Sequence, residues 1–92
     1  MNESVIRRRA VVRGRVQGVF FRDSTREQAE AAGVAGSARN RDDGAVEVVL
    51  EGPPDAVERV LAFSHEGPGH ARVDSVEISE EQPQGLTSFE VS

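Results

Sequence analysis

The sequence predicts an α+β fold, a single sheet with two helices packed on one of its faces. Three observations lead there. Alternation with period two marks strands at 5–16, 45–52 and 72–79. Helical spacing of apolar and small residues follows the first and third of the four main strands. The turn signal Asp42-Asp43-Gly44 joins the second and third strands as a hairpin.

Residues 5–16 place Ile6, Ala10, Val12 and Val16 on one parity and Arg7, Arg9, Arg13 and Arg15 on the other. Arg8 and Val11 break the pattern, and the whole reads as a half-buried strand with an exposed arginine stripe. Arg22 to Ala32 reads as a helix, with Phe21, Thr25, Ala29 and Ala32 at helical spacing and Gly33 as its stop. Its buried face is mostly small, so it must pack close to whatever it covers. VAGSARN (34–40) makes a short strand, and AVEVVLEG (45–52) is the clearest one, Val46, Val48 and Leu50 alternating with Glu47 and Glu51. Pro53-Pro54-Asp55 opens a second helix, because proline fits the first turn and an aspartate suits the dipole there. Val57, Val60, Leu61 and Ser64 form its stripe, and Gly67-Pro68-Gly69 ends it. Residues 72–79 give a fourth strand with Val76 and Ile78 inward, and SFEVS (88–92) a short fifth.

The order βαββαβ plus a short C-terminal strand is that of the ferredoxin-like two-layer sandwich, its two helices on one face of an antiparallel or mixed sheet. In that topology the first and second strands run the same way, with the third antiparallel between them. The loop 14–21 and Asn40 therefore converge at one edge of the sheet.

Composition sets the bounds. Ninety-two residues make one domain, 1–92, with residues 1–5 as a loose N-terminal tail. The absence of cysteine excludes disulfides, thiol nucleophiles and cysteine-ligated metals. Apolar runs such as VFF and VVL are too short for a signal or membrane segment, so a cytoplasmic protein with no membrane partner is expected. The net charge of −5 argues against a nucleic-acid partner. Every base is an arginine, which reads as compositional bias.

The stretch GRVQGVFFR (14–22) carries the chemistry. Gly14 and Gly18 open backbone angles closed to other residues, so the amides of Arg15 to Phe21 can curl into a nest of donors. The loop runs into a helix start, where orphan N–H groups and the dipole add to the same field. Arg22, in the first turn, can reach over the nest with a fork that matches a phosphate face. The physics alone leaves a second possibility open, a glycine-rich turn with an incidental arginine.

GRVQGVFFR, followed by GSARN (36–40), the DDG turn, VEVVLEG (46–52) and GPGHARVDSV (67–76), resembles the acylphosphatase family over about residues 8 to 91. The pattern Gly-x-Val-Gln-Gly-Val-x-Phe-Arg is that family's phosphate cradle. The resemblance implies a hydrolase that splits acyl phosphates into carboxylate and inorganic phosphate, the latter both product and inhibitor. Arg22 would be the phosphate-binding catalytic arginine. Gly14, Arg15, Val16, Gln17, Gly18, Val19 and Phe20 would form the cradle. Asn40 would position the attacking water. It further implies a monomer, with no metal or cofactor. One departure is visible: where the family shows Gly-Trp-Val-Arg-Asn, this chain has Ser37 and Ala38, which bears on turnover more than on reaction type.

Elementary chemistry agrees. The leaving carboxylate's conjugate acid titrates near ~4, so no general acid is needed to expel it. Phosphoryl transfer spreads charge over three equatorial oxygens, which makes positioning and electrostatics the main task. A carboxamide offers an acceptor and donors for a water and does not titrate. The proton can leave to a phosphate oxygen. Such a site would serve a phosphate monoester poorly, because an alkoxide needs an acid or a metal.

Other residues have plainer explanations. His65 and His70, without cysteine or a nearby carboxylate pattern, read as surface or capping groups rather than metal ligands. Asp42 and Asp43 belong to a turn, and Ser24 and Thr25 lack a base partner. Phe20 and Phe21 read as core anchors. The arginine stripe lies beside Glu47 and Glu51, so cross-strand ion pairs account for it. Two further readings use the same fold: a non-catalytic module that binds phosphate or acyl phosphate, and, less well supported by charge and aromatic content, an RNA-binding platform.

Overall fold

A computed structural model of the chain describes residues 4–92, and most of the expected 1–5 tail lies outside them. The elements run β1 (Ile6–Arg15), α1 (Phe21–Ala32), β2 (Ala35–Asn40), β3 (Val46–Gly52), α2 (Pro54–Ser64), β4 (Arg72–Glu81) and β5 (Phe89–Val91). The sheet order is β4-β1-β3-β2-β5. All neighbours are antiparallel except β2 and β5, which are parallel with Gly36 beside Phe89. This is the ferredoxin-like sandwich, with β3 between two strands that run in the same direction.

The core sits between sheet and helices. Ala10, Val12, Val46, Val48 and Leu50 line the covered face and meet Phe21 and Ala29 of α1 and Val57, Val60 and Leu61 of α2. Register holds the layer together, Ala10 opposite Val48 and Val12 opposite Val46. Each such aliphatic burial is worth about 1.5–3 kcal/mol. Phe21 and Phe63 join the helices at a ring separation of 6.3 Å. Thr25 and Ser64 are buried in the same layer, and each donates its hydroxyl to the carbonyl four residues back, on Phe21 and Val60. That bond lets a polar side chain sit in the core without an unmet donor.

Three expectations need correction. Ile78 does not point into the core: it is 46% exposed, because β4 is an edge strand and the helices cover the centre of the sheet. Phe20 is no core anchor either, being 77% exposed, and only Phe21 is buried. The arginine stripe is not uniformly exposed. Arg7 is 8% exposed, and Glu47 and Glu51 beside the stripe are buried with it.

The expected cross-strand pairs are present, and two further strands, β4 and β2, join them. Arg7 binds Glu51 at 3.1 Å and Glu81 at 2.8 Å. Arg9 binds Glu47 at 3.1 Å and Glu81 at 2.7 Å, and Arg39 reaches Glu47 at 3.0 Å. The segment between β4 and β5 then folds over Glu51, whose carboxylate accepts hydrogen bonds from the amides of Gln84, Gly85 and Leu86.

Candidate active site

β1 ends in a backbone that only glycine can follow. Gly14 has φ 135°, and a Cβ there would lie 2.1 Å from the Arg72 carbonyl oxygen of β4. The β1–β4 register shifts between Arg13 and Gly14, so the strand is re-aimed as it leaves the sheet. Val16 then drops into the core and pins the loop, while Gly18 turns it at φ 76°. Phe20 closes the turn in a left-handed conformation, φ 64° and ψ 25°, which costs a bulky residue about 1–2 kcal/mol. Helix α1 starts at Phe21, one residue earlier than its sequence pattern indicates, and no side chain caps its N-terminus. The first-turn N–H groups and the positive dipole end are therefore turned toward the loop with no capping side chain of their own.

Arg22 stands in that first turn, half-buried, and its Nη1 donates to the Ser92 backbone oxygen at 2.5 Å. The Ser92 amide in turn donates to the Ala38 carbonyl of β2 at 3.1 Å. Val16, Gly18, Phe20, Phe21, Arg22 and Asp23 line a cavity of about 210 Å³. Arg15 points into solvent and Val19 packs against the core. Gln17 contributes a side-chain contact that its place in the motif did not reveal: Nε2 donates to the carbonyls of Arg41 and Ala45, at 2.8 and 2.9 Å.

Asn40 is the last residue of β2 and pairs with Val46, which pairs with Val12 of β1. It thus lies on the helix-covered face, level with the last core residue before the cradle and two strand spacings, roughly 10 Å, from it. Its Oδ1 is buried, and among the described residues no group donates to it. A buried carboxamide oxygen without a donor costs about 1–3 kcal/mol, so this oxygen is available to accept a hydrogen bond. Ala38, the smaller residue of the second motif, is fully buried in register with Val48 and Val91.

The hairpin just beyond Asn40 is firmly closed. Arg41 N–H donates to Ala45 O at 2.8 Å, and Asp43 accepts from the Ala45 amide. That amide, more than the Arg13 and Arg41 guanidiniums beside it, holds the Asp43 carboxyl below its ordinary value. Asp42 and Asp43 therefore belong to the turn. His65 caps the end of α2 and His70 is exposed. Among the described residues, no three His, Asp or Glu side chains gather as metal ligands. A larger cavity of about 590 Å³ lies at the far end of the sheet, among Gly33, Val34, Glu51, Gly85 and Phe89. Its buried carboxylate is already satisfied, and it holds neither Arg22 nor Asn40.

At one sheet edge, then, the chain brings together uncapped amides, a guanidinium and a buried acceptor without a donor. That set can hold a tetrahedral anion and orient one water beside it.

The pattern that defines the acylphosphatase family matches residues 8–91. An acylphosphatase of Rubrobacter xylanophilus is 57% identical over 84 residues, covering 90% of this chain and 76% of its own. One of Gloeobacter violaceus is 49% identical, covering 96% and 95%. The crystal structure of acylphosphatase from Bacillus subtilis superposes with a TM-score of 0.91 at 33% identity, covering 95% of this chain and 98% of its own.

Proposed function

The chain belongs to the acylphosphatase family, and on that premise we propose how its own residues hydrolyse acyl phosphates to carboxylate and inorganic phosphate. The phosphate sits in the cradle of Gly14, Arg15, Val16, Gln17, Gly18, Val19 and Phe20, its oxygens on their amides, with Arg22 across it as a bidentate clamp. Asn40 Oδ1 accepts a hydrogen bond from a water placed in line with the carboxyl–phosphate bond. As the water attacks, the bond to the carboxylate breaks, the carboxylate departs as the anion, and the water's proton passes to a phosphate oxygen. The fixed donors meet charge that grows on the equatorial oxygens, and no side chain of the site has to change protonation state.

One observation carries the reading most: the unpartnered, buried Oδ1 of Asn40 at the same sheet edge as the uncapped cradle. Inorganic phosphate should therefore bind as product and inhibitor. We also read residues 1–92 as one domain, a monomer, acting in the cytoplasm without nucleic acid. On the open face Arg7 and Arg9 are engaged by glutamates and Arg13 by Asp43, and Arg7, Arg9, Val11, Glu47 and Glu51 offer no ring for base stacking. No helix among the described residues is long and apolar enough to cross a membrane.

The test is a phosphate titration followed by amide NMR. Shifts concentrated on residues 14–22, with the Asn40 side-chain amide responding less, are expected. Shifts concentrated at the Glu51 end of the sheet would move the site away from the cradle.

A further inference from the structure

We propose that the Gln17 side chain is a positioning residue that locks the phosphate cradle to the mount of the attacking water. The proposal rests on the reading of Asn40 as that water's holder. The Gln17 backbone lies in the cradle loop, but its carboxamide leaves the loop and donates to Arg41 O at 2.8 Å and Ala45 O at 2.9 Å. These two residues flank the turn that begins directly after Asn40.

The turn does not need Gln17 in order to close. Arg41 N–H already donates to Ala45 O at 2.8 Å, and Gly44 N–H to Arg41 O at 3.2 Å. Both carbonyls are thus bonded within the hairpin, and Gln17 supplies a second donor to each. What the side chain adds is a connection between two segments 24 and 28 positions apart. A second link, Arg13 to Asp43 at 3.2 Å, starts in β1 before the cradle and lies on the exposed surface.

The need for such a tie follows from Asn40 itself. Among the described residues no group donates to its Oδ1, so the position of the carboxamide follows the backbone at 40 and 41. Reacting atoms must lie within about 3–3.5 Å and in line, and a 1 Å misplacement costs roughly 10²-fold in rate. Glutamine suits the task by its two N–H donors on one nitrogen, which face two carbonyls at once. A carboxylate of the same shape would turn an acceptor toward both.

The experiment combines Gln17→Leu, Gln17→Glu, Asn40→Ala and the double variant Gln17→Leu/Asn40→Ala, with circular dichroism to select folded protein. Benzoyl phosphate hydrolysis and the Ki of phosphate are measured for each. In the wild-type background Gln17→Leu should lower kcat by about 10- to 100-fold and change the phosphate Ki by less than about twofold. In the Asn40→Ala background the same change should cost less than about twofold, because the water it aligns is no longer held. Gln17→Glu should regain activity as pH falls and its carboxyl acquires an O–H donor, while wild-type kcat stays flat. Equal losses in both backgrounds, or a rise in Ki that matches the fall in kcat, would overturn the tie and make Gln17 a shaper of the cradle. Wild-type kcat in Asn40→Ala would instead remove the reading of Asn40, and the tie with it.

Discussion

The two ends of the sheet each surround an anion's place with backbone amides and an arginine, and they are finished differently. At the end where β1 begins and β3 finishes, the occupant is Glu51. It takes hydrogen bonds from Gln84, Gly85 and Leu86 amides at 3.0, 2.6 and 3.0 Å and from Arg7 Nη1 at 3.1 Å. Burial pushes that carboxyl up, yet the four donors outweigh it and hold it below its ordinary value. At the other end, Val16, Gly18, Phe20, Phe21, Arg22 and Asp23 line a cavity, and among the described residues Asn40 Oδ1 has no donor. Where the chain provides both partners, the arrangement stabilises the fold. Where it provides one, we propose that substrate or water supplies the other, and that the unmet group marks the working end.

The sharpest way to test this contrast is Arg22→Lys. A point-charge ammonium cannot reproduce the two-pronged contact with phosphate, so kcat/KM for an acyl phosphate should fall about 10³-fold. Among the described residues the arginine's side-chain hydrogen bond goes to the Ser92 oxygen at the surface, so the melting temperature should move by no more than about 2 °C. Activity within a few-fold of wild type would break the comparison, because the open end would then not read its anion through this side chain.

Glu51→Gln is the mirror experiment. It leaves Arg7 half-paired in a buried place and weakens the hold on the 84–86 amides, so about 3 kcal/mol of stability should be lost, on the order of 15 °C in Tm. The activity of the folded fraction should stay within about twofold. If activity and stability fell together, the two ends would be coupled rather than separate devices.

The smallest expected effects come from pH. Neither a carboxamide nor a guanidinium ionises in the neutral range, so kcat should be flat from about pH 5.5 to 8 and indifferent to chelators. Stability behaves differently. Glu51 and Glu81 are both held below the ordinary 4.5, Glu81 chiefly by its bond from Arg7, with Arg9 adding to it. A depressed carboxyl contributes fully above the unfolded value, and the contribution disappears as pH falls through the folded one. Denaturant midpoints should therefore hold above pH 5 and drop below about 4.5. A bell-shaped kcat near pH 6.5 would place a titrating group at the open end.

Much of the open end was legible because its signals are local. Gly14 and Gly18 announce unusual backbone, the arginine follows at the helix start, and the strand order alone brings Asn40 to the same edge. The closed end was legible only in its Arg7–Glu51 pair, which strand adjacency indicates. The sequence QPQGLTS (82–88) has no period to read, and its grip on Glu51 uses amides, which every residue has. The inward reading of Ile78 failed because parity says which face a side chain takes but not how far the helices extend over it. Phe20 looked like core because its type favours burial, whereas its left-handed backbone, invisible in the letters, turns the ring outward. The contacts of Gln17 and of Ser92 span distant segments, and no spacing rule encodes them.

The bond from Arg22 to Ser92 joins positions 70 apart in the chain. It forms only after β5 has docked beside β2, which makes it among the most non-local contacts of the fold and among the dearest in loop entropy. Cradle and helix can assemble early from neighbouring residues, but the guanidinium is aimed last. A chain whose β5 has not yet docked can be almost entirely folded and still lack a set arginine, so on the proposed role of Arg22 competence for catalysis would report that the whole sheet has closed.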